Sequence, residues 1–95
     1  MQNVEVEYQE LEEVAIINNI EFGTRVILFN DDTHTFDEVA NQIIKAIACD
    51  FEKAMQLTNE VHSNGKASIY EGELIDCLRV SGVLEEIELL TQIEC

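Results

Sequence analysis

Ninety-five residues suffice for one domain, which buries roughly 60–65% of the surface its unfolded chain exposes, so the core is modest. Twenty acidic residues against five basic ones give a formal net charge of −15. Such a surface repels nucleic acid and anionic membranes, and suits a cationic group, a basic partner surface or solubility.

Residues 1–23 carry six glutamates and no Lys or Arg, with apolar patches at Val14 to Ile17 and Ile20 to Phe22. This stretch reads as an acidic, largely flexible N-terminal extension ahead of a domain over residues 24–95. Whether its apolar patch docks on the domain or on a partner is open at this level. Gly23-Thr24 punctuates the chain, and Arg25-Val26-Ile27-Leu28-Phe29 is rich in branched and aromatic side chains, which predicts a buried strand. Asn30-Asp31-Asp32-Thr33 ends it with residues that favour turns by bonding their own backbone.

Thr35-Phe36-Asp37-Glu38 has the form of a capping box. Phe36, Val39, Ala40, Ile43, Ile44 and Ile47 follow at helical spacing and predict one apolar helix face. Asp50 reads as a second N-cap, ahead of a helix with Phe51, Ala54, Met55, Thr58, Val61 and His62 along one side. Ser63-Asn64-Gly65 stops that helix, Gly65 suiting the left-handed C-terminal position. Lys66 to Tyr70 predicts a short strand. A third helix is expected from about Glu73 to Glu86, with Leu74, Cys77, Leu78, Val80 or Ser81, and Leu84 on its packed side. Leu89 to Glu94 is expected as the closing strand. The fold class is therefore α+β, a small β-α-α-β-α-β domain with a three-stranded antiparallel sheet and helices packed on one face.

The cysteines Cys49, Cys77 and Cys95 are odd in number and lack CxxC spacing, so reduced thiols are expected, with no disulfide framework and no zinc site. No basic patch runs into an apolar stretch at the amino terminus, and no apolar segment approaches the ~18 residues of a membrane span. A cytoplasmic location is the expectation.

Two polar signals stand out. Asn30-Asp31-Asp32 follows a strand directly, and His62 ends an apolar helical face just before Gly65-Lys66-Ala67. Each alone has an ordinary reading, as a turn or as a histidine at a helix C-terminus. Together, Val26-Ile27-Leu28-Phe29-Asn30-Asp31-Asp32 with Thr35-Phe36-Asp37-Glu38-Val39, and Val61-His62-Ser63-Asn64-Gly65-Lys66-Ala67, resemble the two signature segments of the ClpS family of protease adaptors. The terminal Leu89-Leu90-Thr91-Gln92-Ile93-Glu94 is similar to that family's closing strand, so the resemblance runs from about Thr24 to Glu94.

The resemblance implies an adaptor that binds proteins bearing N-terminal Leu, Phe, Tyr or Trp and delivers them to a Clp-family AAA+ unfoldase of the ClpA or ClpC type. It implies no catalytic residue, cofactor or metal. It assigns the α-ammonium to Asn30, Asp31 and His62, with Asp31 acting through its backbone or a bridging water, and with Asp32 as an auxiliary acid. A hydrophobic pocket would comprise His34, Phe36, Val39, Thr58, Val61 and Leu89, and Glu73 and Arg79 would contact the unfoldase. The chemistry is coherent: an ammonium offers three donors and needs fixed acceptors, and His62 can accept only through an unprotonated nitrogen. By the same resemblance residues 1–23 correspond to the extension that engages the unfoldase during delivery.

Several residues depart from the family pattern. Phe36 stands where many members have Met, which reshapes the pocket gate and bears on the preference among bulky residues. His34 replaces a small hydroxyl residue, Thr35 a proline, and Thr58 a common Met. The segment from Ser68 to Gly72 and the third helix are shorter than is usual. The main rival reading is a domain that docks on an unfoldase and alters its substrate choice without capturing N-terminal residues; it predicts that Asn30 and His62 merely cap backbone. A Cys77–His62 nucleophile pair and a metal site from His34, His62 and Asp31 are chemically conceivable but have no supporting spacing.

Overall fold

The computed structural model describes residues 23–95, so all but Gly23 of the acidic extension expected over residues 1–23 lies outside the described residues. The elements run β1 (Arg25–Phe29), α1 (Phe36–Ile47), α2 (Phe51–Asn64), β2 (Lys66–Glu71), α3 (Leu74–Glu85) and β3 (Thr91–Glu94). β1 is the central strand, with β2 and β3 antiparallel on either side. The expected α+β order and three-stranded antiparallel sheet are the observed ones.

β1 alternates as a strand in a twisted sheet must. Val26 and Leu28 face the helices and are fully buried within one cluster with Val39, Ala40, Ile43, Leu57, Val61, Val80 and Leu84. Ile27 is 7% exposed yet stands outside that cluster. Cross-strand partners hold the register, with Leu28 between Ala67 and Thr91. An irregularity between Val26 and Ile27 lets both Ile69 and Tyr70 turn toward the core side.

The helix ends follow their local chemistry. Thr35 Oγ1 accepts from the Glu38 amide at 3.1 Å, and Glu38 Oε1 accepts from the Thr35 amide at 2.8 Å, completing the capping box. Asp50 Oδ1 accepts from the Lys53 amide at 2.8 Å and opens α2. Gly65, at φ 86, closes α2 and donates to the Val61 carbonyl at 2.8 Å, a conformation that a residue without Cβ adopts freely.

Three expectations need correction. On α3 the buried residues are Cys77, Val80, Ser81 and Leu84, whereas Leu74 and Leu78 are exposed. Both sets recur at helical spacing, and the choice between them is made by the sheet and α1, against which only one stripe can pack. Phe51 is half exposed at the first turn of α2, because the α1–α2 connection turns it away from the core that Ala54, Leu57 and Val61 enter. β3 begins at Thr91 rather than Leu89, since Leu89 is buried ahead of the ladder and Glu88 takes a left-handed φ of 68.

Buried polar groups are satisfied locally. Gln42 Nε2 donates to the Val83 carbonyl at 2.6 Å and to Glu86, and Lys45 Nζ donates to the same Glu86 carboxylate at 2.8 Å. Ser81 and Thr91 share a hydroxyl–hydroxyl bond of 2.6 Å that ties α3 to β3.

Candidate functional site

A cavity of about 160 Å³ opens where the end of β1, the start of α1 and the last turns of α2 converge. Phe29, Asn30, Asp31, Asp32 and His34 enter it from β1 and the loop that follows. Phe36 and Val39 come from the first turn of α1, Thr58, Val61 and His62 from α2, and Leu89 from the segment before β3. The structure thus brings together all ten residues assigned to the ammonium site and hydrophobic pocket. It leaves Glu73 and Arg79 elsewhere, before and on α3.

The loop conformation follows from the Asn-Asp-Asp run. The Asn30 amide donates to the Gly65 carbonyl at 2.9 Å, which places the end of β1 against the α2–β2 turn. Asp31 Oδ1 accepts from the Thr33 amide at 2.8 Å, an Asx turn, and its Oδ2 pairs with His34 Nδ1. Each Asp31 oxygen thus has one partner within the loop. The Thr33 amide first, and then His34, hold the Asp31 carboxyl below the usual aspartate range. The bridging proton accordingly belongs to His34 Nδ1, and His34 acts on the loop as a brace.

This brace has a pH signature. The folded-state value of Asp31 lies below its unfolded value, so its contribution to stability is whole above the ordinary aspartate pKa of about 3.9 and disappears as pH falls through the lowered folded value. In a carbon-13 titration the Asp31 carboxyl should show a midpoint below that of an aspartate in an unstructured peptide. A midpoint at or above the peptide's would contradict the brace.

Asn30 Nδ2 donates to Asp32 Oδ1 at 3.2 Å, which turns the amide oxygen of Asn30 outward from that contact. Among the described residues nothing donates to that oxygen, and the His62 side chain makes no hydrogen bond. His62 is held instead by its ring, whose centroid lies 5.1 Å from that of Phe36 in an edge-to-face arrangement at 67°. Deeper in, Val39 and Val61 are buried, and the Thr58 hydroxyl donates to the Ala54 carbonyl at 2.8 Å, so its polar group is spent within α2. The cavity is apolar inside with unengaged acceptors and a carboxylate at the rim. It is suited to a ligand that is a cation at one end and a hydrocarbon at the other.

Phe29 is the lining residue that sequence reasoning missed. Its place at the strand's last position, before Asn30, puts it beside the loop. Lys66 Nζ stands over its ring, 5.9 Å from the centroid. Cys77 is fully buried on α3, where burial pushes its thiol up and its Sγ donates to the Thr24 carbonyl at 3.5 Å. That environment belongs to core packing, and Cys77 does not line the cavity. Among the described residues no group of three or more His, Cys, Asp or Glu side chains is placed to hold a metal. No helix among them is long and apolar enough to cross a membrane.

The sheet, the three helices and the strand–loop–helix cavity define a small α+β domain whose fold is found in a known structure. That structure, Agrobacterium tumefaciens ClpS2 bound to L-phenylalaninamide, superposes with a TM-score of 0.70 at 16% identity, covering 75% of this chain and 93% of that one. Residues 23–86 match the family model described as ATP-dependent Clp protease adaptor protein ClpS, a match that spans more than half of the chain, and the chain belongs to that family. The ATP-dependent Clp protease adapter protein ClpS of Thermosynechococcus vestitus is 41% identical over 49 residues, covering 50% of this chain and 52% of the relative. The chain thus spans about half the length of the curated relative it matches.

Proposed function

We propose that this chain captures proteins by a free N-terminal residue with a bulky hydrophobic side chain and passes them to a Clp-family AAA+ unfoldase of the ClpA or ClpC type. The observation that carries the reading is the pairing of an apolar cavity with unengaged acceptors, Asn30 Oδ1 and His62, at its rim. An α-ammonium fits the rim, and the side chain of residue one fits the interior. A cavity of about 160 Å³ is of the size that holds an aromatic ring, since an engineered apolar cavity of about 150 Å³ in another protein binds benzene. L-phenylalaninamide, present in the structurally similar ClpS2, has this same combination of a free α-amine and a benzyl side chain.

The energetics suit a carrier. Burying a Leu or Phe side chain contributes about 1.5–3 kcal/mol, and each charge-assisted bond about as much before ordering is counted. The sum falls near the −8.2 kcal/mol of micromolar affinity, weak enough to release cargo. No part of this reading asks for catalysis by the chain itself. The rival reading, docking without capture, would have Asn30 and His62 cap backbone, and neither side chain does so among the described residues.

Fluorescent peptides that differ only at residue one, titrated by anisotropy, test the proposal. Leu, Phe, Tyr and Trp peptides should bind at micromolar concentration or tighter, and acetylated Leu should not bind. Free and acetylated peptides behaving alike would overturn it. The same reading gives residues 1–22 a role in delivery. Their removal should leave peptide affinity unchanged and slow degradation of a tethered substrate by the unfoldase–protease; lost peptide affinity would refute that role.

A further inference from the structure

α3 carries an apolar stripe that the domain leaves uncovered. Leu74 is 41% exposed, Ile75 71% and Leu78 53%, while the opposite stripe, with Cys77, Val80 and Leu84, fills the core. By helical spacing Gly82 continues the line of Ile75 and Leu78. A Cβ placed on Gly82 would meet nothing within 4 Å, so no packing inside the domain requires a glycine there. Mid-helix glycine destabilises by roughly 0.5–1 kcal/mol relative to alanine. Here it leaves a shallow notch at the end of an apolar ridge, where a second backbone can approach closely.

The occupant is indicated by where the preceding chain ends. Thr24 is fully buried, and its carbonyl accepts from the Gly72 amide at 3.0 Å and from Cys77 Sγ at 3.5 Å. Thr24 is therefore anchored beside the first turn of α3. Directly before that anchor lie Val14, Ile16, Ile17, Ile20 and Phe22, with no charged residue from Val14 to Ile20. From Leu74 to Leu78 α3 rises only about 6 Å, whereas an extended chain covers up to about 3.3 Å per residue, so the segment is long enough to lie along the stripe. The short tether raises its local concentration far above that of a free competitor. Glu73 and Asp76 flank the stripe and Glu21 lies in the segment, so charge disfavours a second copy and the segment alike, and it is the tether that favours the segment.

We infer that the apolar segment 14–22 of the same chain is the occupant of this face of α3. The face is a self-docking surface for the N-terminal segment. Because Glu73 and Arg79 belong to the same region, the docked segment also covers the ground assigned to an unfoldase, a consequence that rests on the proposed function, whereas the docking itself does not.

Nitrogen-15 NMR of the full chain tests the docking without reference to peptide capture. The triple variant Ile16→Ser/Ile17→Ser/Ile20→Ser should shift the amides of residues 74–82 and speed their hydrogen exchange at least about tenfold, with the rest of the domain unchanged. Leu78→Ser, a change at an exposed position that the fold tolerates, should reciprocally shift residues 14–22. Unaltered α3 amides in the triple variant would overturn the inference. Shifts that appear instead at Ile27 and its cross-strand partners Ser68 and Gln92, on the outer side of the sheet, would also do so, as would α3 shifts that track protein concentration and a dimeric mass.

Discussion

On the proposed function, Asn30→Ala should weaken binding of a peptide with free N-terminal Leu or Phe by about ten- to a hundredfold, the factor that corresponds to losing one bond to a charged group, about 1.5–3 kcal/mol. The Asn30 amide oxygen faces no donor among the described residues, so a bound ammonium would be its partner. Removing it takes away one fixed acceptor for the ammonium at the exposed rim of the cavity. His62→Ala should act with similar size, and it also removes the ring against which Phe36 packs. His62→Gln separates these roles, because it restores an acceptor without restoring the ring contact. Acetylated peptide serves as the baseline: neither substitution should alter its residual signal. If Asn30→Ala and His62→Ala both bind free peptide as the unaltered chain does, the rim has been assigned to the wrong ligand.

Leu28→Ala should destabilise the domain by about 2–5 kcal/mol, the range for deleting a fully buried leucine. Leu28 is at the centre of the central strand, between Ala67 and Thr91, with the helices over its side chain. Relaxation cannot close the gap easily, because the strand is held by ladders on both edges. Domains of this size have only about 5–15 kcal/mol in all, so the change removes a large share and lowers Tm by roughly 10 °C or more. Leu90→Ala is the control, since Leu90 is 66% exposed and its loss should stay within about 0.5 kcal/mol. Denaturant unfolding of the two variants decides the matter, and a Leu28→Ala loss below about 1 kcal/mol would mean that the core is arranged differently.

Much of this architecture is written in local chemistry. The capping box at Thr35 and Glu38, the Asp50 cap and the left-handed Gly65 depend on residues within a turn of one another, and all three form as their sequence spacing indicates. The run of branched residues from Val26 to Phe29 and the periodicity of α1 specify element type because side-chain direction repeats every two residues in a strand and about every 3.6 in a helix. The two polar segments, Asn30-Asp31-Asp32 and Val61 to Ala67, pointed to one site although 29 positions separate Asp32 from Val61 in the chain.

What required the tertiary structure is everything decided between elements. α3 has two apolar stripes of equal periodicity, and only the sheet and α1 select Cys77, Val80 and Leu84 over Leu74 and Leu78. Phe29 lines the cavity because the end of β1 and the last turns of α2 converge there, which no local pattern expresses. The engagement of Asp31 by both Thr33 and His34, and the absence of any such engagement at the Asn30 oxygen, depend on how the loop closes against the Gly65 carbonyl. By itself, then, the sequence determined the kind, order and caps of the elements and the polar residues of the site, since those follow from neighbours along the chain. Burial is a contest among faces for a limited interior, and only the assembled sheet and helices could decide which side chains line the cavity and which apolar stripe remains outside.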